Sequence, residues 1–242
     1  MEKKAGISVV LLAYKEEENL KILLPKIHHY MMGIGEEYEI LVIDSEQPLD
    51  NTKQVCEENN ALYYAQEEAH YGGAFRTGIK YARYDKIQTL DADGSHNPCN
   101  LPIIYKKFME GNDIVIGSRY VKGGITHDVI SSVIMSRILN TVMRICIGVK
   151  TKDISTAYRL YNNKLLSEIV LCGENYDVLQ EVILKMAIEK KQQGSGKLLI
   201  DEIPIEFEKR MFGESKRNLV VFIISYIGTL CKMIKLRITN LN

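Results

Sequence analysis

The chain is poor in several things that usually announce a function. It has five cysteines in 242 residues, and Cys56, Cys99, Cys146, Cys172 and Cys231 are scattered with no C-x-x-C pair among them. An odd, dispersed set fits free thiols in a reducing compartment and argues against a disulfide framework or a zinc site. There is no charge excess: 31 basic and 31 acidic side chains cancel, which removes the bulk attraction that nucleic-acid binding rests on. Glycine-rich phosphate signatures are missing. HYGGAFRTG at 70–78 is not G-x-G-x-x-G, and no G-x-x-x-x-G-K-[ST] occurs, so dinucleotide and P-loop sites are disfavoured. The uncharged run from Leu219 to Cys231 would span about 20 Å as a helix, short of a hydrocarbon core of roughly 30 Å. The N-terminus MEKKAGISVVLLAY has the outline of a signal, but its apolar run meets KEEEN at once and reads as a buried strand. The remainder, 46% apolar and 26% charged with no repeat, is a globular, cytoplasmic chain able to bury a large core.

Apolar periodicity supplies the organisation. Buried strands are expected at 7–13, 39–44, 61–65, 86–91 and 113–118, each a short β-branched run. Helices are expected between them at 16–32, 50–59, 73–83 and 100–110, with Leu20, Leu23, Leu24, Ile27 and Met31 at helical spacing in the first. Strand and helix alternate, so the units are βαβ and the sheet is mostly parallel. Beyond residue 120 the pattern changes: a long apolar helix at 129–149, a helix at 176–191, a strand at 198–205 and a final helix at 216–236. Arg137 and Arg144 lie seven apart on one face of the 129–149 helix. This helix and the apolar run near the C-terminus each admit two readings, a core or dimer helix and an interfacial helix on a membrane.

Chemistry concentrates in TLDADGSHNP at 89–98. Asp91 and Asp93 are two apart at the end of an expected strand, so both carboxylates point to one side at the edge where open α/β sheets bind ligands. Such a pair suits Mg²⁺ or Mn²⁺ bridging to phosphates; the plainer reading is a turn rich in Asx residues. Other strand ends offer polar groups to the same crevice: Tyr14 and Glu16 after the first, Asp44 after the second, and Gly72, Gly73 and Gly78 after the third. His28, His29, His96 and His127 show no metal-ligand spacing and read as surface or cap residues.

The segments SVVLLAYKEEENL, ILVIDSEQPLDNT, GGAFRTGIKYA, LDADGSHNPCNLP, DIVIGSRY, KDISTAYRLY and IPIEFEKRMFGESK, in this order, resemble family 2 glycosyltransferases. The similarity is greatest to the branch holding dolichyl-phosphate mannosyltransferase and bacterial polyprenyl-phosphate glycosyltransferases. The resemblance implies an α/β GT-A fold: a Rossmann-like, mostly parallel central sheet flanked by helices, as a domain over 1–218 followed by a C-terminal apolar helix at 219–242, membrane-interfacial or dimer-forming. It implies nucleotide-sugar contacts at Tyr14, Glu16, Asp44 and Gly72, a divalent metal on Asp91 and Asp93, and basic groups around the phosphates at Arg119, Arg159, Arg210 and Lys216. Asp153 matches an acidic position facing metal and acceptor, and Glu181 a carboxylate below the site. Asp93, Asp153, Arg119 and Arg159 form the implied catalytic set.

The implied reaction is inverting transfer from a UDP- or GDP-sugar to a polyprenyl phosphate, on the cytoplasmic face of a membrane. Two alternatives stay open: a saccharide hydroxyl as acceptor, with Asp153 as base, and a sugar-nucleotide-binding module without turnover. The sequence departs from the family at Asp44-Ser45, where two aspartates are usual, at Ser95, and at Ala157-Tyr158, which leaves the donor base open.

Overall fold

The computed structural model describes residues 3–212 and 219–241. Nine strands and eight helices are placed among these: β1 (Lys4–Leu12), α1 (Glu17–Ile34), β2 (Tyr38–Asp44), α2 (Thr52–Glu58), β3 (Leu62–Ala65), α3 (His70–Tyr81), β4 (Tyr84–Asp91), α4 (Leu101–Phe108), β5 (Ile114–Ser118), β6 (Ile125–Thr126), α5 (Ile130–Ile147), β7 (Arg159–Asn162), α6 (Asn163–Ser167), α7 (Val178–Gln192), β8 (Ile200–Pro204), β9 (Glu206–Phe207) and α8 (Leu219–Leu241). Seven strands form one sheet in the order β3-β2-β1-β4-β7-β5-β8, and β6 and β9 form a separate ribbon. The pairs β1–β2, β1–β4, β2–β3 and β5–β8 are parallel, as the βαβ alternation predicts.

Side chains alternate across the sheet and fill two cores. Val9 and Leu11 face α1, α2 and α4 with Leu20, Leu24 and Ile104. Val10 and Ile43 face the other layer, with Phe75, Met143, Val182 and Met186. Gly78 of α3 is what lets that helix lie on β1, because a Cβ there would stand 2.5 Å from Val10 Cγ1.

The structure departs from expectation after β5. Strand β7 lies between β4 and β5 and runs antiparallel to both. Four residues opening on an arginine carry no readable strand periodicity, so this element was not expected. The expected strand at 198–205 is divided: β8 ends at Pro204, the Ile205 N–H makes a final bond to Ser118 O of β5, and the chain continues into the ribbon. The last helix is not a free appendage. It packs on α5 and α7, Met233 joins the core at 4% exposure, and Arg237 donates to the carbonyls of Ile145 and Cys146, capping the C-terminal end of α5.

Helix α5 is long and apolar enough to cross a membrane by length and composition, yet only 17% of it is buried. Asn140, Met143 and Ile147 face inward, while Ile130, Ile134, Ile138 and Ile145 are exposed.

Candidate active site

The strand order switches direction at β1, which pairs β2 on one side and β4 on the other; ligands of open α/β sheets bind at such a point. Register brings the pieces together, since Leu12 sits opposite Ile43 in β2 and Asp91 in β4. The chain leaves β1 through Ala13 and the exposed Tyr14. It then turns at Lys15, a non-glycine residue at φ 60°, and this uncommon conformation delivers Glu16 to the start of α1 beneath the end of β4.

Glu16 is 8% exposed and accepts a hydrogen bond from Asn19 Nδ2. Burial pushes its carboxyl up; the Asn19 bond and Arg210 oppose this, and the charges of Asp93 and Asp91 add to it. Asp93 Oδ1 accepts from Ser95 N at 3.0 Å and Ser95 Oγ at 2.6 Å. Its other oxygen lies 3.0 Å from Arg210 Nη2, and Arg210 Nη1 is 3.9 Å from Glu16 Oε1. One guanidinium thus bridges two of three clustered carboxylates. Gly94 holds φ 80°, a conformation that favours glycine, and the Met211 side chain lies over it, its Cε 2.3 Å from where a Cβ would stand.

His96 corrects the surface reading made from sequence. It is fully buried, stacked on Tyr158 at 4.9 Å, and its Nδ1 accepts the Asp91 N–H at 2.9 Å. Burial drives its pKa down to about 4. A neutral ring with an unprotonated Nδ1 makes no ion pair with Asp91 Oδ2, 3.6 Å away; it is a strut under the Asp91–Asp93 turn. His127 is paired as well, its Nε2 2.7 Å from Glu206 Oε1 and 3.9 Å from Glu208 Oε2 across the ribbon.

Other expected site residues are placed differently. Asp44 is fully buried, accepting from Ser45 N at 2.8 Å and Tyr63 Oη at 3.2 Å; burial raises its pKa. Gly72 serves packing. Its N–H donates to Glu174 O at 2.7 Å, and a Cβ would fall 1.9 Å from Gly173 O. Gly72→Ala is expected to destabilise the fold by about 2 kcal/mol through overpacking, measured by urea denaturation, while Gly33→Ala, whose Cβ would meet nothing within 4 Å, serves as the control. Glu181 holds the same loop from beneath by accepting the N–H groups of Cys172 and Gly173. A concavity of about 580 Å³ beside Glu68, His70, Arg76 and Cys172 lies at this loop and not over the acid cluster, and its Arg76 already donates to Glu68 and Gly173 O.

Arg119 and Asp153 form a pair of their own. Arg119 Nε and Nη2 reach Asp153 Oδ2 and Oδ1 at 2.7 and 2.8 Å, and Asp153 is fully buried. Burial pushes its carboxyl up, but Arg119 outweighs this and holds it below the ordinary range. A carboxylate held this way is a poor proton acceptor, which weighs against Asp153 as the base that a hydroxyl acceptor would need. Phe207 packs between this pair and the acid cluster, 5.1 Å from the Arg119 guanidinium and 5.3 Å from the His96 ring. Arg159 is a second correction. It is fully buried and donates to Leu179 O and Ile154 O at 2.7 Å each, so it ties β7 to α7. Lys216 lies outside the described residues. Sequence reasoning missed Asn19, although a Glu-x-x-Asn spacing across the first turn of a helix is a legible signal. Asn19 Oδ1 accepts from Phe212 N at 3.1 Å, joining α1 to the segment that carries Arg210.

The family model of glycosyl transferase family 2 matches residues 8–170. The chain belongs to this family, and its fold is GT-A. Among curated relatives, a polyprenol monophosphomannose synthase from Mycolicibacterium smegmatis is 28% identical over 87% of this chain and 80% of its own length. A dolichol-phosphate mannosyltransferase from Pyrococcus furiosus is 29% identical over 87% of this chain, which spans 58% of that protein. Among solved structures, glucosyl-3-phosphoglycerate synthase from Mycobacterium tuberculosis, in complex with Mn²⁺, UDP and phosphoglyceric acid, superposes with a TM-score of 0.73 at 18% identity, covering 95% of this chain and 78% of that one. The same enzyme with Mg²⁺ and UDP gives a TM-score of 0.72 at 18% identity, over 96% and 80% of the two chains. At that identity the likeness speaks for the fold alone.

Proposed function

We propose that the chain is a metal-dependent, inverting glycosyltransferase that moves a sugar from a nucleoside-diphosphate sugar to a polyprenyl phosphate. The observation that carries this reading is the cluster of Glu16, Asp91 and Asp93 at the switch point, with the Arg210 guanidinium already between two of them. The donor set is all carboxylate oxygen and holds a cation in its midst, which fits Mg²⁺ or Mn²⁺. Asp91 and Asp93 would hold the ion, which would neutralise negative charge on the departing diphosphate. Arg210 contributes positive charge at the same place. Tyr14, exposed beyond the end of β1, would stand on the nucleoside side, and Asp44, buried at the end of β2, would shape that side through its bonds to Ser45 and Tyr63. UDP- and GDP-sugars are the donors to be tried.

The state of Asp153 favours a phosphate acceptor. A saccharide hydroxyl needs a base within hydrogen-bond reach, and the carboxylate that the sequence offers is committed to Arg119. A phosphate monoester, with its second pKa near 6, is largely dianionic at neutral pH. One of its oxygens attacks the anomeric carbon from the face opposite the leaving group as the bond to the diphosphate oxygen breaks, and no proton needs to be removed. The names of the two curated relatives support a polyprenyl chain on that phosphate. The surface of α5 supports it too: Arg137, its guanidinium over the Tyr120 ring at 5.2 Å, stands between the exposed Ile134 and Ile138, a cation amid apolar side chains as a lipid phosphate requires.

The test is release of nucleoside diphosphate from a panel of sugar nucleotides with Mn²⁺ or Mg²⁺, with and without polyprenyl phosphate. Release that depends on the lipid, with an alkali-stable and mild-acid-labile glycolipid product, is the expected result. Release only with a saccharide acceptor, or no release with any donor, overturns the reading. A companion prediction concerns location on the cytoplasmic membrane face. Ile134→Glu combined with Ile138→Glu is expected to lower binding to anionic vesicles at least about tenfold with the melting temperature retained, as both positions are exposed. A change in solution mass without loss of vesicle binding would instead make α5 a dimer contact.

A further inference from the structure

We propose that Arg210 is an exchangeable latch: its guanidinium occupies the acid cluster before a divalent cation arrives, and it changes partner to the nucleoside diphosphate once the cation is in place. The inference rests on the reading that Asp91 and Asp93 hold the metal.

The backbone around Arg210 is pinned on three sides. Glu208 N donates to Ser95 O, and Met211 N donates to Asp93 O, both at 3.0 Å. Phe212 N donates to Asn19 Oδ1 at 3.1 Å. Glu16 is in turn bonded to Asn19, so the segment carrying Arg210 and two of the carboxylates it serves form one connected frame. A change of partner by Arg210 therefore needs only side-chain rotation, and its side chain, 34% exposed, has room to rotate.

Three carboxylates in a partly buried site repel one another and favour a counter-charge. Arg210 supplies it at 3.0 Å from Asp93 and 3.9 Å from Glu16. An incoming dication seeks the same oxygens, so the two cations compete. Once the dication is bound, Arg210 faces a like charge and loses its carboxylate partners. The diphosphate is an anion that offers its fork of N–H donors a bidentate replacement. Metal binding and nucleotide binding are then coupled through one side chain, and coupling of this kind is reciprocal. Without the latch, the metal would bind the empty site more readily and the nucleotide would gain less from the metal.

The experiment is titration of Mn²⁺ followed by electron paramagnetic resonance, first alone and then with UDP or GDP, on the wild type, R210A and R210Q. Both variants are expected to bind Mn²⁺ alone roughly tenfold tighter than wild type, because a positive charge a few ångströms from the ligands is gone. Both are expected to bind the nucleotide more weakly in the presence of Mn²⁺. The factor by which nucleotide tightens Mn²⁺ should fall towards one. Unchanged Mn²⁺ affinity with weakened nucleotide binding overturns the latch and leaves Arg210 a simple phosphate ligand. Weakening of both, with a lowered melting temperature, makes it a structural residue and also overturns the latch. The parent reading fails by a separate result: Mn²⁺ binding that survives D91N and D93N unchanged.

Discussion

Asp93→Asn is expected to lower turnover by at least about 10³-fold, since it removes a charge that would hold the metal while the transition state concentrates negative charge on the diphosphate. The amide keeps the shape of the turn, because its oxygen can still accept from Ser95 N and Oγ as Asp93 Oδ1 does. The fold should therefore persist, and loss of activity should come with loss of Mn²⁺ binding while the melting temperature moves little. Asp93→Ala removes the turn bonds as well and is the harsher variant. A D93N enzyme with wild-type turnover and Mn²⁺ affinity would remove these aspartates from the chemistry altogether.

The second large effect is on stability. Asp153→Ala is expected to destabilise the protein by about 3–5 kcal/mol, because it leaves the Arg119 guanidinium desolvated without its partner. For a chain of this size that is a fall of about 10 °C in melting temperature. Replacing both members by apolar residues of similar volume should recover much of the loss, and chemical denaturation of the single and double variants measures both. The pH dependence has a definite sign. The folded-state pKa of Asp153 lies below its ordinary value of 3.8, so the pair's contribution is complete above about pH 4 and is lost as pH falls through the folded pKa. Acid denaturation of the wild type should show this loss, and the variant with both residues replaced should not.

Much of the sheet is legible in sequence because its interior strands are buried on both faces. ISVVLLA, EILVID and DIVIGS are runs that water excludes wherever they sit, and turn residues bound them. The acid pair is legible for a similar local reason, since Asp91 ends β4 and Asp93 follows two residues on in a turn rich in Asx and glycine. Strand β7 is not, because Arg159-Leu160-Tyr161-Asn162 becomes a strand only when β4 and β5 stand on either side to take its hydrogen bonds. The burial of His96, Arg159 and Asp153 is not legible in the sequence, for one common reason. A polar residue type in a motif does not reveal whether it meets solvent, ligand or carbonyl oxygens, and all three are fully buried with protein partners.

By itself, the sequence determined the βαβ order and set two aspartates two residues apart where β4 gives way to its turn, both of which follow from local periodicity and spacing. Only the tertiary structure decided what stands around those aspartates. Glu16 and Arg210 come from opposite ends of the chain to meet Asp93, and the hydrogen bonds of Asn19, Ser95 and Met211 that bring them there are long-range closures. No local pattern encodes such closures, because each exists only after the sheet has assembled and fixed the distance between its partners.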